Sequence, residues 1–197
     1  MSFIIVGLGN PGAEYDGTRH NTGRMIATAF SGQEEFELFS YDKKANAQVA
    51  EKKIKKENVI VVLPDTFMNK SGGAVSRFVK SVKAAQLLAV IHDDLDLPLG
   101  RIKISFNRGS GGHRGVESIT RALKTEAFVR VRIGISKDAG KGKVKKPVGE
   151  KAVGDFILTK FSPLEQKEFK KVSKLACEAL HVLVTDGHEE AMQKFNS

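Results

Sequence analysis

The chain has 197 residues, 41% of them hydrophobic and 28% charged, with 32 Lys and Arg against 23 Asp and Glu. This composition excludes a disordered chain and predicts one soluble globular domain over residues 1–197, large enough to bury a substantial core. The net charge of +9 predicts an anionic partner, with nucleic acid as the first candidate.

Three absences in the sequence narrow the class of protein further. Cys177 is the single cysteine, so no internal disulfide can form and we expect a reducing, cytoplasmic compartment. No basic segment precedes the first apolar run, so we expect no signal peptide. No apolar run approaches the roughly 18 residues of a membrane span, so we expect no membrane partner.

In chain order, β-branched or apolar runs that predict strands alternate with apolar residues at 3–4 spacing that predict helices. The predicted strands are 3–8, a weak pair within 36–50, 58–63, 87–91, 101–106 and 129–135. The predicted helices begin at Asn21, at Asn69 or Ser71 (reaching Val82), at Glu117 and at Pro163, with a short last helix after Gly187. This alternation predicts an α/β layered architecture.

Lysine residues are concentrated in two segments of the chain. The first cluster is Lys52, Lys53, Lys55 and Lys56; the second is Lys137, Lys141, Lys143, Lys145, Lys146 and Lys151. Either cluster alone is equally consistent with ordinary solvated lysines, but both together with the net charge favour an anionic partner. The second cluster lies within residues 136–154, which are rich in Gly and Lys and predict a mobile loop or lid.

Polar motifs follow four of the strand-like or apolar segments. They read GNPGAEYDGTRHNTG over 9–23, FMNKSG over 67–72, HDDLDLPLG over 92–100 and GSGGHRG over 109–115. Binding crevices of α/β proteins form where strands give way to loops, so we expect these motifs to meet. Within the first motif, His20 is a candidate general base, because an imidazole has a reference pKa of about 6.5.

Two of the motifs allow several interpretations. The GLGNPG segment over 7–12 fits a dinucleotide-binding pattern, a structural turn, or a substrate loop in which Asn10 presents its amide. The first is disfavoured because no apolar helical face follows directly. The HDDLD segment over 92–96 fits a metal site, local turn chemistry, or a carboxylate that orients an imidazole, with Asp93 and His20 as a possible pair.

The other two motifs are individually weaker signals. Asn69 fits a helix N-cap or a side-chain amide that donates to an oxyanion. The glycine-rich loop around His113 and Arg114 can expose backbone N–H groups to an anion. No G-x-S-x-G elbow is present and Cys177 lies on an apolar helix face, so a metal-free hydrolase would use water as its nucleophile.

Taken together, the motifs resemble those of the bacterial-type peptidyl-tRNA hydrolases in order and spacing. The shared segments are VGLGNPGAEYDGTRHNTG, DTFMNKSG, HDDLDLPLG, GGHRG and VRIGI, and the resemblance runs from Phe3 to about Gly187. It implies a single domain with a mixed central β-sheet surrounded by helices. It also implies a monomer that needs no metal or cofactor and hydrolyses the ester joining a peptide to the terminal ribose of tRNA.

The resemblance assigns a role to individual residues. His20 would be the base that activates water, Asp93 would orient it, and Asn10 and Asn69 would hold the peptide and its carbonyl. The segment 137–152 falls at the family's lid. Substrate or tRNA binding would involve Tyr15, Met68, Lys103, Arg132, Gly111, Gly112, His113 and Arg114.

Arg114 departs from the family pattern, which usually has Asn at this position. Arg is longer, always charged and unable to accept a hydrogen bond. Our hypothesis is that Arg114 binds the tRNA end or the substrate carbonyl, while His20 and Asn10 hold the water. The departure keeps open a non-catalytic RNA-binding member of the same fold, although RNA binding alone needs no His–Asp pair. A nucleotide- or metal-dependent enzyme is the second alternative.

Overall fold

The computed structural model describes residues 1–140 and 143–196 and contains one central β-sheet. Lys141, a member of the second lysine cluster, lies outside the described residues. The strands are β1 (Phe3–Gly7), β2 (Ser40–Asp42), β3 (Ala47–Ile54), β4 (Glu57–Pro64), β5 (Leu88–Pro98), β6 (Ile102–Phe106), β7 (Val129–Gly140) and β8 (Lys143–Lys145).

The sheet is mixed, in the order β2-β3-β4-β1-β5-β7-β6, with β8 paired to the extended end of β7. Strands β4, β1, β5 and β7 run parallel to one another, so their carboxyl ends meet at one edge. The outer pairs, β2 with β3, β3 with β4, β6 with β7 and β7 with β8, are antiparallel. The mixed sheet implied by the family resemblance is therefore confirmed.

Helices cover both faces of the sheet. They are α1 (Thr22–Gln33), α2 (Ser71–Val75), α3 (Val82–Ala85), α4 (Arg114–Leu123), α5 (Glu150–Ile157), α6 (Pro163–Thr185) and α7 (His188–Phe195). Apolar residues of α1, α6 and α7 form one core with the sheet, and those of α2, α3 and α4 form the second. No helix within the described residues is long and apolar enough to cross a membrane.

Cys177 contributes to the first core. The residue is buried on α6, and this burial, with the negative charges of Glu34 and Glu178, raises the pKa of its thiol to about 11. A thiol with that pKa is almost entirely protonated at neutral pH, and only the thiolate is a good nucleophile. The packing role predicted from the sequence agrees with this environment.

Three local predictions were wrong. The HDDLD segment is a strand and not a turn, because β5 continues to Pro98 and pairs with β7 through Asp94, with a register shift before Pro98. The expected local bond is present, since Asp94 accepts from the backbone N–H of Asp96 over 2.8 Å. Residues 136–154 are not a simple loop: β7 and β8 form a hairpin, and α5 begins at Glu150. Pairing with a neighbouring strand satisfies the backbone of both segments without any apolar pattern in the side chains. The helix predicted from Asn69 or Ser71 to Val82 is broken into α2 and α3.

The first turn of α1 lies directly against the residue after β1 and against the middle of β5. A Cβ atom on Gly23 would lie 2.1 Å from the carbonyl oxygen of Ile91 and 2.7 Å from the backbone nitrogen of Leu8. The backbone N–H of Arg24 donates to the carbonyl of Leu8 over 2.9 Å. Only glycine allows this approach, which fixes the turn before α1 against the carboxyl edge of the sheet.

We therefore expect Gly23→Ala to lower the free energy of unfolding by roughly 1–3 kcal/mol, because the added methyl group forces the helix away from Leu8 and Ile91. Gly32→Ala, in the same helix, is the matched control: its Cβ would meet nothing within 4 Å. That change should raise stability by up to about 1 kcal/mol, from helix propensity. Urea unfolding of both variants measures the difference; equal effects would contradict the close-approach argument.

Candidate active site

A crevice of about 960 Å³ lies at the carboxyl edge of the parallel strands. The motifs singled out in the sequence form its walls. The segment after β1 contributes Asn10 and His20, the segment after β4 contributes residues 67–70, and the end of β5 contributes residues 92–96. The loop before α4 and the helix α5 complete the lining. The expectation that these motifs meet at strand ends is confirmed by this geometry.

The floor of the crevice is organised around one buried carboxylate. Asp93 is 4% exposed, and its two oxygens lie 3.0 and 3.2 Å from Nδ1 of His20. Its Oδ1 also lies 3.0 Å from Nε2 of His113. The His20–Asp93 pair expected from the sequence is present, and His113 is a second imidazole on the same carboxylate.

Backbone contacts define the tautomer of His113. Its Nδ1 accepts hydrogen bonds from the N–H groups of Gly115 and Val116, at 3.2 and 3.3 Å, in the first turn of α4. The proton of the neutral ring must therefore be on Nε2, which donates it to Asp93. Both nitrogens are committed within the protein, so His113 supports Asp93 and keeps no free polar atom for a substrate.

His20 has the opposite arrangement. Because its Nδ1 faces the Asp93 carboxylate, this nitrogen carries the proton of the neutral ring and Nε2 keeps the lone pair. The ring lines the crevice and is 8% exposed. A neutral imidazole held in one tautomer with its other nitrogen free is the arrangement a general base requires.

His92 completes a group of three imidazoles that sequence reasoning missed. Its Nδ1–H donates to the backbone carbonyl of Asp93 over 2.7 Å, and its ring centre lies 4.7 Å from that of His113. Complete burial, reinforced by His113, holds the pKa of His92 well below its usual value, so the ring stays neutral. The adjacent residues His92 and Asp93 were visible in the sequence, but their contacts depend on the fold.

Burial and neighbouring charges together set the pKa values of Asp93 and His20. Burial alone would raise the pKa of Asp93, but the two imidazoles His20 and His113 outweigh it and hold the pKa well below the usual carboxyl value. For His20, burial lowers the pKa, the Asp93 charge and hydrogen bond raise it, and Arg114 lowers it again. The net result is a pKa for His20 above 6.5.

Asn10 is held by a second buried asparagine. The side chain of Asn21 accepts from the backbone N–H of Asn10 over 2.8 Å and donates to its carbonyl over 2.9 Å. Asn21 therefore does not cap α1 with its side chain, as the sequence had predicted. The Oδ1 of Asn10 accepts from the backbone N–H of Met68 over 2.9 Å, which leaves the amide nitrogen Nδ2 to bind a ligand.

Asn69 lies on the rim of the same crevice. It is exposed within a 3₁₀ turn, Met68–Lys70, and Met68 beneath it is buried and lines the crevice. The helix-cap alternative for Asn69 is wrong, because Lys70 occupies the N-cap position of α2. Asn69 therefore offers a side-chain amide at the rim of the crevice.

Two ion pairs cross the mouth of the crevice. Arg114, the first residue of α4, pairs with Glu150 at the start of α5. Lys146 pairs with Asp96 near the end of β5. The residues are exposed, so each pair contributes little to stability and weakens with salt. The pairs join the 110–114 loop and β5 to the segment that was predicted to act as a lid.

Comparison with known proteins identifies the family. A family model described as peptidyl-tRNA hydrolase matches residues 4–197. The chain belongs to the peptidyl-tRNA hydrolase family. A peptidyl-tRNA hydrolase of Carboxydothermus hydrogenoformans is 39% identical over 98% of both chains, and one of Rhodococcus erythropolis is 36% identical over 98% of this chain and 97% of the relative. A crystal structure of peptidyl-tRNA hydrolase from Acinetobacter baumannii has a TM-score of 0.86 at 31% identity, covering 100% of this chain and 95% of that one.

Family membership confirms the resemblance on which the site assignments were based, and the structure shows which assigned residues share the crevice. Gly111 and Gly112 line it beside His113. Tyr15, Lys103 and Arg132 are not among its lining residues in the described chain. Tyr15 ends a short 3₁₀ turn, Ala13–Tyr15. Lys103 and Arg132 are cross-strand neighbours on β6 and β7, and Nε of Arg132 donates to Asp94 over 2.6 Å.

Two alternatives for the peptidyl-tRNA hydrolase motifs do not fit the geometry. The GLGNPG turn leads into a 3₁₀ turn, whereas a dinucleotide motif leads directly into the helix that holds the pyrophosphate. His20, Asp93 and His113 place one potential ligand atom each within 4.8 Å of one another. However, the proton on Nε2 of His113 leaves that nitrogen no lone pair for a metal. His20, Asp93 and His113 are therefore suited to hydrogen bonding with one another rather than to holding a metal ion together.

Replacing Asp93 by Asn should bring the pKa of His20 below 6.5, because burial and Arg114 would then act without the opposing carboxylate. The pKa of His20 is raised in the folded state, so its ion pair with Asp93 stabilises fully below about pH 6.5 and is lost as pH rises through the folded value. The stability difference between wild type and Asp93→Asn, about 1–3 kcal/mol, should therefore be larger at pH 5.5 than at pH 8.5.

NMR titration of the imidazole measures the pKa, and urea unfolding at the two pH values measures the stability difference. Asp65→Asn serves as control, because its carboxylate pairs with Arg24 and lies outside the crevice lining. It should leave the pKa of His20 almost unchanged. An unchanged pKa in Asp93→Asn would disprove the electrostatic account.

Proposed function

We propose that this chain hydrolyses the ester that joins the peptide to the terminal ribose in peptidyl-tRNA, and so recycles tRNA from aborted translation. The observation that carries the proposal is the His20–Asp93 pair on the floor of the crevice, beside the amides of Asn10 and Asn69. The similar proteins are known as peptidyl-tRNA hydrolases, which supports catalysis over the non-catalytic RNA-binding alternative.

The reaction begins with a water molecule between His20 and the ester carbonyl. Nε2 of His20 takes a proton from the water as its oxygen attacks the carbonyl carbon. The Nδ1–H bond to Asp93 keeps the tautomer and stabilises the imidazolium that forms. When the tetrahedral intermediate collapses, the proton passes from His20 to the departing ribose oxygen. One water is consumed, and a free peptide carboxyl and a ribose hydroxyl are produced.

Amide donors stabilise the negative charge on the carbonyl oxygen in this intermediate. Asn10 has its oxygen fixed by the backbone of Met68, so its Nδ2 is preoriented, and Asn69 offers a second side-chain amide from the rim. Preorganised donors at a developing oxyanion are worth about 3–4 kcal/mol each. Met68, Gly111 and Gly112 would contact the peptide or the terminal adenosine, and Tyr15 would approach from outside the crevice.

The tRNA backbone would be bound by the basic surface next to the crevice. The second lysine cluster lies on the β7–β8 hairpin and at the start of α5, where its described members are exposed. Lys103 and Arg132 extend this surface across β6 and β7. The first cluster borders the β3–β4 turn, at the amino end of β4 and so far from the crevice. Contacts to phosphates are independent of base sequence, which suits a substrate class of many tRNAs.

In this proposal the chain acts as a cytoplasmic monomer, and the segment 137–152 acts as a lid. The hairpin and α5 stand beside the crevice mouth, and the pairs Arg114–Glu150 and Lys146–Asp96 join them to the opposite wall. Arg114 would bind the tRNA end or the substrate carbonyl once released from Glu150. Arg114 and His20 both line the crevice, which supports this role.

The first test is release of peptide from an N-blocked aminoacyl-tRNA by the purified protein. His20→Ala should reduce the rate by about 10²–10⁴-fold, as expected for loss of a general base. Wild-type activity should survive a chelator, since no step requires a metal. Tight tRNA binding without release by the wild-type chain would instead establish an RNA-binding member, and loss of activity with chelator would establish a metal-dependent enzyme.

The role of Arg114 is tested by two variants that break the same ion pair from opposite sides. If Arg114 binds substrate, Arg114→Asn should lower kcat/KM about 10–100-fold through loss of a charged hydrogen bond. Glu150→Gln should raise it up to about fivefold by freeing the guanidinium. If the pair matters only as a tether across the crevice, both variants should change kcat/KM in the same direction. Unchanged turnover and tRNA affinity in Arg114→Asn would refute the binding role.

A further inference from the structure

His20 lies in a short 3₁₀ turn, Arg19–Asn21, between two tethered neighbours. On one side, Asn21 is bonded to the backbone of Asn10. On the other side, Arg19 reaches away from the sheet to the segment that joins α5 to α6. The position of the imidazole therefore depends on two anchors in different parts of the chain.

Arg19 makes several contacts to the segment between α5 and α6 and to the first turn of α6. The residue is 6% exposed, and its Nη2 donates to both carboxylate oxygens of Glu165, at 3.0 and 2.9 Å. Its Nε donates to the hydroxyl of Thr159 over 3.1 Å, and its backbone N–H donates to the carbonyl of Thr159 over 3.0 Å. An isolated bridge between Thr18 and Lys160 extends the same contact.

Two aromatic rings also hold the guanidinium. Its central carbon lies 4.6 Å from the ring centre of Phe156 and 4.8 Å from that of Phe161. Phe156 belongs to α5, and the next residues, Ile157 and Leu158, line the crevice. The guanidinium thus connects the turn that carries the base to the wall of the crevice formed by α5.

Glu165, which binds Arg19, is itself held at the start of α6. Glu165 forms a capping box with Ser162 at the start of α6, accepting from the backbone N–H of Ser162 over 2.9 Å. Burial acts against ionisation of Glu165, but the hydrogen bonds from Arg19 and Ser162 outweigh it and lower the pKa of this carboxyl. The carboxylate is therefore charged at neutral pH and fixed to the first turn of a long helix.

We propose that Arg19 is a positioning residue that fixes His20 against Asp93 and holds α5 at the crevice. This rests on the proposed function, in which His20 is the base. The role requires arginine, because a planar guanidinium bonds Thr159 through Nε and Glu165 through Nη2 while its faces contact two aromatic rings. Lysine keeps the charge but has neither the second nitrogen nor the flat faces.

The test compares Arg19→Lys, Arg19→Met and Glu165→Gln with the control Glu168→Gln. Glu168 is an exposed residue of the same helix, whose carboxylate pairs with Lys171 three residues on. We expect Arg19→Lys to lower kcat by about 10²-fold, the cost of a small misplacement of a catalytic group. Glu165→Gln should act in the same direction with a smaller effect, and Glu168→Gln should match wild type.

The decisive readout is the pKa of His20 by NMR in the folded protein. The charged or titratable groups around this ring are Asp93, His113 and Arg114. Loosening of the contact with Asp93 should lower the pKa of His20 in Arg19→Lys. If the variants only lower Tm, while the pKa of His20 and the kcat of the folded protein stay at wild-type values, Arg19 is purely structural and the proposal is overturned.

Failure of the proposed hydrolase activity can be distinguished from failure of the proposed role of Arg19. If Arg19→Met does not fold, Arg19→Lys and Glu165→Gln carry the comparison, because both preserve most of the buried volume. If the wild-type chain releases no peptide, the proposed hydrolase activity fails. The titration of His20 then still decides whether Arg19 fixes the ring against Asp93, since it needs no substrate.

Discussion

The buried carboxylate of Asp93 is the constraint around which the site is arranged. A carboxylate removed from water is stable only if hydrogen-bond donors and positive charge replace the solvent. His20 and His113 provide those donors, and His92 bonds the carbonyl of the same residue. Each ring therefore has one nitrogen held by a hydrogen bond to Asp93. The free lone pair of His20 is thus a consequence of burying a charge within β5.

The contacts of Asp93 with His20 and His113 also require the turn before α1 and the start of α4 to pack closely against the sheet. Asp93 can meet His20 only if the turn before α1 lies against β1 and β5, which the close approach of Gly23 to Ile91 within β5 allows. It can meet His113 only if α4 begins at the crevice, and the backbone N–H groups of that helix fix the tautomer of the ring. Core packing on both faces of the sheet therefore determines the protonation pattern of the site.

Much of the fold was predictable from the sequence because its signals are local. Strands such as β4 have continuous β-branched runs, and α6 has a regular apolar face behind a Ser-Pro start. His20 and Asp93 were identifiable as residue types at strand ends. The wrong predictions concern long-range pairing: β5 continues through HDDLD because β7 lies beside it, and the 136–154 segment forms a hairpin without an apolar pattern.

The supporting contacts of the site were unpredictable for the same reason. His113 is 20 residues from Asp93, and Glu165 is 146 residues from Arg19, so no sequence spacing relates them. Asn21 occupies a helix N-cap position, and local propensity predicts a capping side chain there. Its amide instead pairs with the backbone of Asn10, because the tertiary fold brings a loop with an unpaired N–H and C=O against it.

Arg114 is one of the groups that act on the pKa of His20. Asp93 raises this pKa, and a base that is too basic is protonated at neutral pH and cannot accept a proton from water. Burial and the guanidinium of Arg114 act in the opposite direction. Arg114 therefore opposes protonation of His20. In the proposed reaction the same charge would also attract an anionic substrate, and its ion pair with Glu150 partly neutralises it. Under the proposed function, the guanidinium of Arg114 would thus affect both the protonation of His20 and the binding of substrate.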